Sequence, residues 1–172
     1  GALALAGCIP PIPSDGGLRA AVAVLHAGYD DRLAEVIEQG FQLVPPPDVD
    51  GKRVLLKINL VDLPRDGRPI VTHPALVAAA AEAFRRRGAA QVLVADGPAL
   101  QRDAWQIVDA VGLTPVLAEL GLDFIDLNHA DPVRVHNALG RTGLEHLYFA
   151  RPAWDAAQRS GAKTCASGHC EP

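Results

Sequence analysis

The chain has 172 residues, which at the usual ~150 residues per domain leaves room for about one domain. Hydrophobic residues make up 49% and charged residues 21%, inside the range of globular proteins, which excludes a disordered chain, a coiled coil and a collagen. Sixteen basic residues against twenty acidic ones leave a net charge of -4, and aromatics are 5%, so the basic stripe and stacking surface of a nucleic-acid binder are missing.

Residues 1–8, GALALAGC, form an apolar run closing on small residues, the pattern that ends a secretory signal peptide. Leu5-Ala6-Gly7-Cys8 looks like a bacterial lipobox, in which Cys8 is lipidated. Residues 9–17, rich in Pro, suit a stiff tether between a membrane and a domain. These segments predict a cell-envelope or periplasmic protein held to the membrane through Cys8. A single α/β domain is expected over residues 18–150, read as incomplete, followed by an irregular tail over 151–172.

Inside that domain strands and helices alternate. Ala20–Leu25 (AAVAVL) is a short apolar run suited to a buried strand. Asp30 and Asp31 then offer capping carboxylates, and Leu33, Val36, Ile37, Phe41 and Val44 share one helical face until Pro45-Pro46-Pro47 stops it. Asp50-Gly51 marks a turn into a second strand, Arg53–Ile58. A loop from Asn59 to Val71 leads to Thr72 or His73 as helix cap, with Pro74 at the first position. Leu76, Val77, Ala80, Ala81 and Phe84 make the buried stripe. Arg85-Arg86-Arg87 suits the negative end of the helix dipole, and Gly88 can terminate the helix. Gln91–Ala95 is the third strand, followed by Asp96-Gly97-Pro98. Two short helices are expected around Trp105–Val111 and after Pro115, then a fourth strand, Asp123–Leu127. Val133–Val135 and Leu144–Phe149 read as a hairpin across Gly140 to Gly143. Apolar strands separated by helices imply a doubly wound three-layer α/β sandwich with a mostly parallel sheet.

In such a sheet ligands bind beyond the C-terminal ends of the strands. Lys57 is the sharpest anomaly there. It lies inside the apolar run VLLKINLV, a buried charge needs a partner, and Asp96 at the end of the next strand is the candidate. Asn59 suits ligand orientation or a turn, Thr72 a cap or an anion site, and His73 a cap, an acid–base group or a metal ligand. Asp96-Gly97 is a frequent turn pair and also a frequent place for a base. His26 is within reach of the same rim, whereas His129, His136 and His146 read as surface or core histidines. Cys165, His169 and Cys170 supply three of the four ligands that a zinc site needs, or a disulfide, or belong to an unstructured tail. No G-x-G-x-x-G, Walker A or G-x-S-x-G motif is present, which disfavours dinucleotide binding, P-loop phosphoryl transfer and common serine-hydrolase chemistry.

Gly51–Val61 with its Lys57-Ile58-Asn59, then Thr72-His73-Pro74, then Gly88-Ala89 and Val92–Pro98 ending in Asp96-Gly97, resembles the family called domain of unknown function 362 over roughly residues 20 to 130. The resemblance implies an α/β fold, export signals in many members, and in some an attached iron–sulfur segment. This chain has three cysteines and no ferredoxin-type run of four, so a cluster-binding role does not carry over. The later Lys-rich, His-containing motif of the family is echoed only by Lys163-Thr164.

Two functions are therefore expected to compete. In the first, a small anionic or carbonyl-bearing ligand sits at the strand ends. Lys57 gives positive charge, Asn59, Thr72 and Gly97 complete the binding surface, and Asp96 or His73 moves a proton. In the second, the protein is a lipid-anchored iron–sulfur or redox-accessory module, or a binding module, without catalysis of its own.

Overall fold

The computed structural model describes residues 21–63, 70–99, 102–137 and 145–159. Cys8, the Pro-rich stretch, the Gly140–Gly143 turn, Lys163-Thr164 and the Cys165, His169, Cys170 group lie outside them. The chain is an α/β protein. Its described elements are α1 (Leu33–Leu43), β1 (Arg53–Lys57), α2 (Pro74–Arg86), β2 (Gln91–Asp96), α3 (Ala104–Ala110), α4 (Leu113–Leu120), β3 (Asp123–Asp126), β4 (Pro132–His136), β5 (His146–Ala150) and α5 (Arg151–Arg159). Strands β1, β2 and β3 form a parallel sheet in that order, while β4 and β5 form a separate antiparallel pair.

Register sorts the side chains of the parallel sheet. Val54 pairs with Val92, and Leu56 with Val94, which in turn pairs with Phe124. These residues share one face by the two-residue period of a strand. They join Val77 and Ala81 of α2, Ile107 and Val108 of α3, and Leu113 and Leu117 of α4 in the apolar core. Leu55 and Leu93 have the opposite parity. They line a hollow of about 740 Å³ whose other walls include Pro152, Asp155 and Ala156 of α5. Helices thus lie against both faces of the sheet.

Local chemistry explains the helix ends. His73 caps α2 by accepting the Ala75 N–H, and Pro74 follows at the first helical position. Gly88, at φ +84°, closes the other end, where Ala89 N–H reaches back to the Phe84 carbonyl. The three arginines are consumed at that end. Arg85 donates to the Leu120 carbonyl at 2.7 Å, Arg86 pairs with Glu82 at 3.1 Å, and Arg87 pairs with Glu38 at 3.0 Å while lying over the Phe41 ring. Asp103 caps α3 through the N–H groups of Trp105 and Gln106.

Three expectations are corrected. The described part of the run at 20–25 is not a strand: residues 21–28 carry no regular structure, and Val22 and Val24 are 78% and 89% exposed. An apolar run becomes a strand only when a neighbour takes its backbone hydrogen bonds, and this one has no ladder partner among the described residues. Leu25 instead lies against Gly40 of α1. Asp30 does not cap α1 directly. Its carboxylate accepts the Arg32 N–H and its carbonyl the Leu33 N–H, a turn just ahead of the helix. Residues 151–159, expected to be irregular, form α5, which packs on β1, β4 and β5.

Leu60, fully buried just beyond β1, ties the end of that strand to the core. Leu60→Ala is expected to cost about 2–5 kcal/mol, the range for truncating a buried leucine. A urea unfolding curve checks it: the midpoint falls with little change in slope.

Candidate functional site

The carboxyl ends of β1, β2 and β3 each deliver one charged residue: Lys57, Asp96 and Asp126. Asp96 and Asp126 are in register, whereas Lys57 pairs with Ala95 and so starts on the opposite face from Asp96. The long lysine stem removes that mismatch by curling round the strand end. Its ammonium donates to the Ile58 carbonyl at 2.6 Å and pairs with Asp96 Oδ1. The other oxygen, Oδ2, accepts the Leu60 N–H. Asp96 is 2% exposed while the lysine side chain is 55% exposed, so the pair spans the boundary between core and solvent. Oδ2 is hydrogen-bonded, whereas Oδ1 is held by the ion pair alone. That arrangement suits holding the rim in shape better than exchanging a proton.

Asn59 and Thr72 clamp the loop that leaves β1 and returns to α2. Asn59 N–H donates to Thr72 Oγ1 at 2.9 Å, Thr72 N–H donates to the Asn59 carbonyl at 2.9 Å, and Asn59 Nδ2 reaches the Ile70 carbonyl at 2.7 Å. His73 is the next residue, at the rim and exposed. Its Nδ1 accepts the Ala75 N–H at 3.2 Å, so in the neutral ring the proton sits on Nε2 as an outward donor. The ring is stacked on Tyr29, with centroids 4.0 Å apart. His26 lies in a separate shallow hollow of about 300 Å³ with Gly28, Asp30 and Arg32.

Gly97 permits a close approach. A Cβ there would stand 2.6 Å from Asn128 Oδ1, and Asn128 Nδ2 donates to the Pro98 carbonyl at 2.9 Å. The loops after β2 and β3 are thereby joined. A second link, Arg102 to Asp62 at 3.0 Å, ties the loop after β2 to the one after β1.

The rim holds a pair that sequence reading missed. Asp126 Oδ2 lies 2.7 Å from His129 Nδ1, and Asp126 Oδ1 accepts the Asn128 N–H at 2.9 Å. A carboxylate on Nδ1 fixes the imidazole's orientation and leaves Nε2 as an acceptor in the neutral ring. The sequence did carry a signal, since the apolar run DFIDL holds an acid, Asp126, next to its end, much as the run QVLVA is followed at once by Asp96. His129, read as a surface or core histidine, is exposed and belongs to this pair.

The hollow of about 740 Å³ is not here. It opens beside Arg53 and Leu55, toward the amino end of β1, and among the described residues it shares no lining with the rim. Chemistry and volume point to different places. The rim carries the convergent polar groups, and we build the site on those.

The fold is that of an α/β protein with polar side chains gathered at the carboxyl ends of its parallel strands. More narrowly, a family model described as Domain of unknown function (DUF362) matches residues 54–158, from the start of β1 into α5. That is more than half of the chain, and the chain belongs to this family. No curated protein and no solved structure matches it.

Two outcomes are expected. Asp96→Asn removes the charge that holds Lys57 and weakens the bond to Leu60 N–H. It should destabilise the fold by roughly 1.5–3 kcal/mol, the worth of a hydrogen bond to a charged group, read by urea or thermal unfolding. Gly97→Ala forces Asn128 aside and should cost about 1–3 kcal/mol as an overpacked contact. Combined with Asn128→Ala, the two losses should fall short of additive, because the substitutions share one contact; a double-mutant cycle by denaturation measures this.

Proposed function

We propose that this domain binds a small molecule bearing a carbonyl or carboxylate group at the carboxyl rim of its parallel sheet. The Lys57–Asp96 pair carries the reading. It presents a half-exposed ammonium, backed by a buried carboxylate, where ligands of parallel sheets sit. Charge counting narrows the ligand. Among the described residues, Asp62, Asp96 and Asp126 outnumber Lys57 and Arg102 on and beside the rim, which favours a ligand of low charge. A carbonyl oxygen or a single carboxylate needs only one donor.

In this reading Lys57 Nζ donates to the ligand oxygen and Asp96 positions that ammonium. Asn59, Thr72 and Gly97 shape the rim through the loops they hold. His73 supplies an outward Nε2–H donor, and His129, oriented by Asp126, supplies an acceptor nitrogen. A donor and an acceptor on one rim are the parts needed for proton transfer next to a carbonyl. Asp96 is thus a positioning residue in this proposal.

The proposal extends to place. The GALALAGC run and its lipobox support a cell-envelope protein anchored through Cys8. Among the described residues no helix is long and apolar enough to cross a membrane. Mass spectrometry of protein expressed behind a full export signal tests the anchor. Acylated Cys8 in the membrane fraction is expected, and unmodified Cys8 in the soluble fraction overturns it.

The ligand is tested by thermal shift against a panel of 2-oxo acids, monocarboxylates and aldehydes. A ligand at a hundredfold excess over Kd stabilises by about 2.7 kcal/mol, which is several degrees for a domain of this size at roughly 2–4 °C per kcal/mol. The shift should vanish in Lys57→Ala and survive in part in Lys57→Arg, which keeps the charge and the Asp96 partner. Equal shifts in wild type and Lys57→Ala would remove Lys57 from the site.

A further inference from the structure

The hairpin β4–β5 brings together residues that the chain keeps apart. His136 and His146 are direct cross-strand partners. The ladder bond from Asn137 N–H to the Glu145 carbonyl, 2.8 Å, lies one step beyond them. The histidine pair therefore occupies a non-hydrogen-bonded position, where facing side chains stand closest. The imidazole centroids are 5.7 Å apart, with ring planes inclined at 69°. Inclined rings can aim nitrogens at a common point, as stacked rings cannot. Glu145 completes the group, its Oε1 3.9 Å from His146 Nδ1. One ligand atom from each of the three residues lies within 4.8 Å of the others.

We propose that His136, Glu145 and His146 form a binding site for a divalent first-row transition ion of the zinc type. A tetrahedral ion bound at ~2.0–2.2 Å holds its ligands roughly 3.3 Å apart. Small side-chain rotations close the remaining gap. The group sits at the end of the hairpin where β4 finishes and β5 begins, and His136 and Glu145 are exposed, so an ion has a path in. The donor set selects the metal. Two imidazoles favour zinc, cobalt, nickel, copper or iron, whereas magnesium and calcium require oxygen donors throughout. Three protein ligands leave a fourth position for water or a substrate oxygen, the arrangement of sites that do chemistry rather than of closed structural ones. None of these residues belongs to the Lys57–Asp96 rim, so the proposal stands independently of the ligand proposed there.

The experiment is a cobalt titration of the full chain carrying Cys8→Ser, Cys165→Ser and Cys170→Ser, which takes all three thiols out of competition. One equivalent of Co²⁺ should give visible d–d bands with no thiolate-to-cobalt charge-transfer band, and excess Mg²⁺ should not displace it. His136→Ala or His146→Ala should weaken binding more than ~100-fold, beyond the 10–100-fold typical for losing an outer-shell partner. Glu145→Gln, which keeps size and fold, should weaken it measurably. In the same background, Zn²⁺ should shift the imidazole NMR resonances of two of the six histidines, and these should be the two lost in His136→Ala and His146→Ala. Cobalt binding unchanged in both histidine variants, zinc shifts confined to other histidines, or no binding at micromolar metal overturns the proposal.

Discussion

A single carboxylate organises the carboxyl end of the sheet. Asp96 is almost completely buried at the tip of β2, and a buried charge survives there only if its oxygens are matched. One oxygen takes the Lys57 ammonium and the other the Leu60 N–H. Both partners belong to the chain leaving β1, so satisfying Asp96 also fixes how that chain turns. The turn in turn sets Asn59 against Thr72 and places His73 at the head of α2. The rim's geometry follows from one solvation problem and its local solution.

The candidate site and the candidate metal centre differ in how they are built. The rim uses neighbouring parallel strands, so its residues arise at successive strand ends, 57, 96 and 126. The metal centre uses an antiparallel pair, so its residues cluster about one turn. Parallel strands need helical crossovers between them, which spreads a site through the sequence; a hairpin concentrates it.

That difference explains what could be read in advance. Lys57 beside Asp96 was legible because a lysine in an apolar strand demands a partner and the next strand offered one. The caps at His73 and Gly88 were legible because they depend on neighbours within a few residues, whereas Arg85 and Arg87 found partners far along the chain, Leu120 and Glu38. The histidines were not. His136 and His146 look unrelated until hairpin register is known, since a slip of one residue turns the side chains to opposite faces. The run at 20–25 misled for a related reason. Its apolar content favours a strand, but a strand exists only with a partner, and composition does not reveal one. Helix α5 was missed because its apolar residues are few, and it is held by packing on β1 and the hairpin.

The order β1-β2-β3 leaves one long side of β1 without a ladder neighbour among the described residues. An uncovered border of this kind invites another molecule's backbone to zip onto it. The strand is only five residues long, and it begins with Arg53 and ends with Lys57, both exposed. A second copy approaching in parallel register would set cation against cation at each end. The lysine that reaches for Asp96 on one side thus also places a charge against strand pairing on the other.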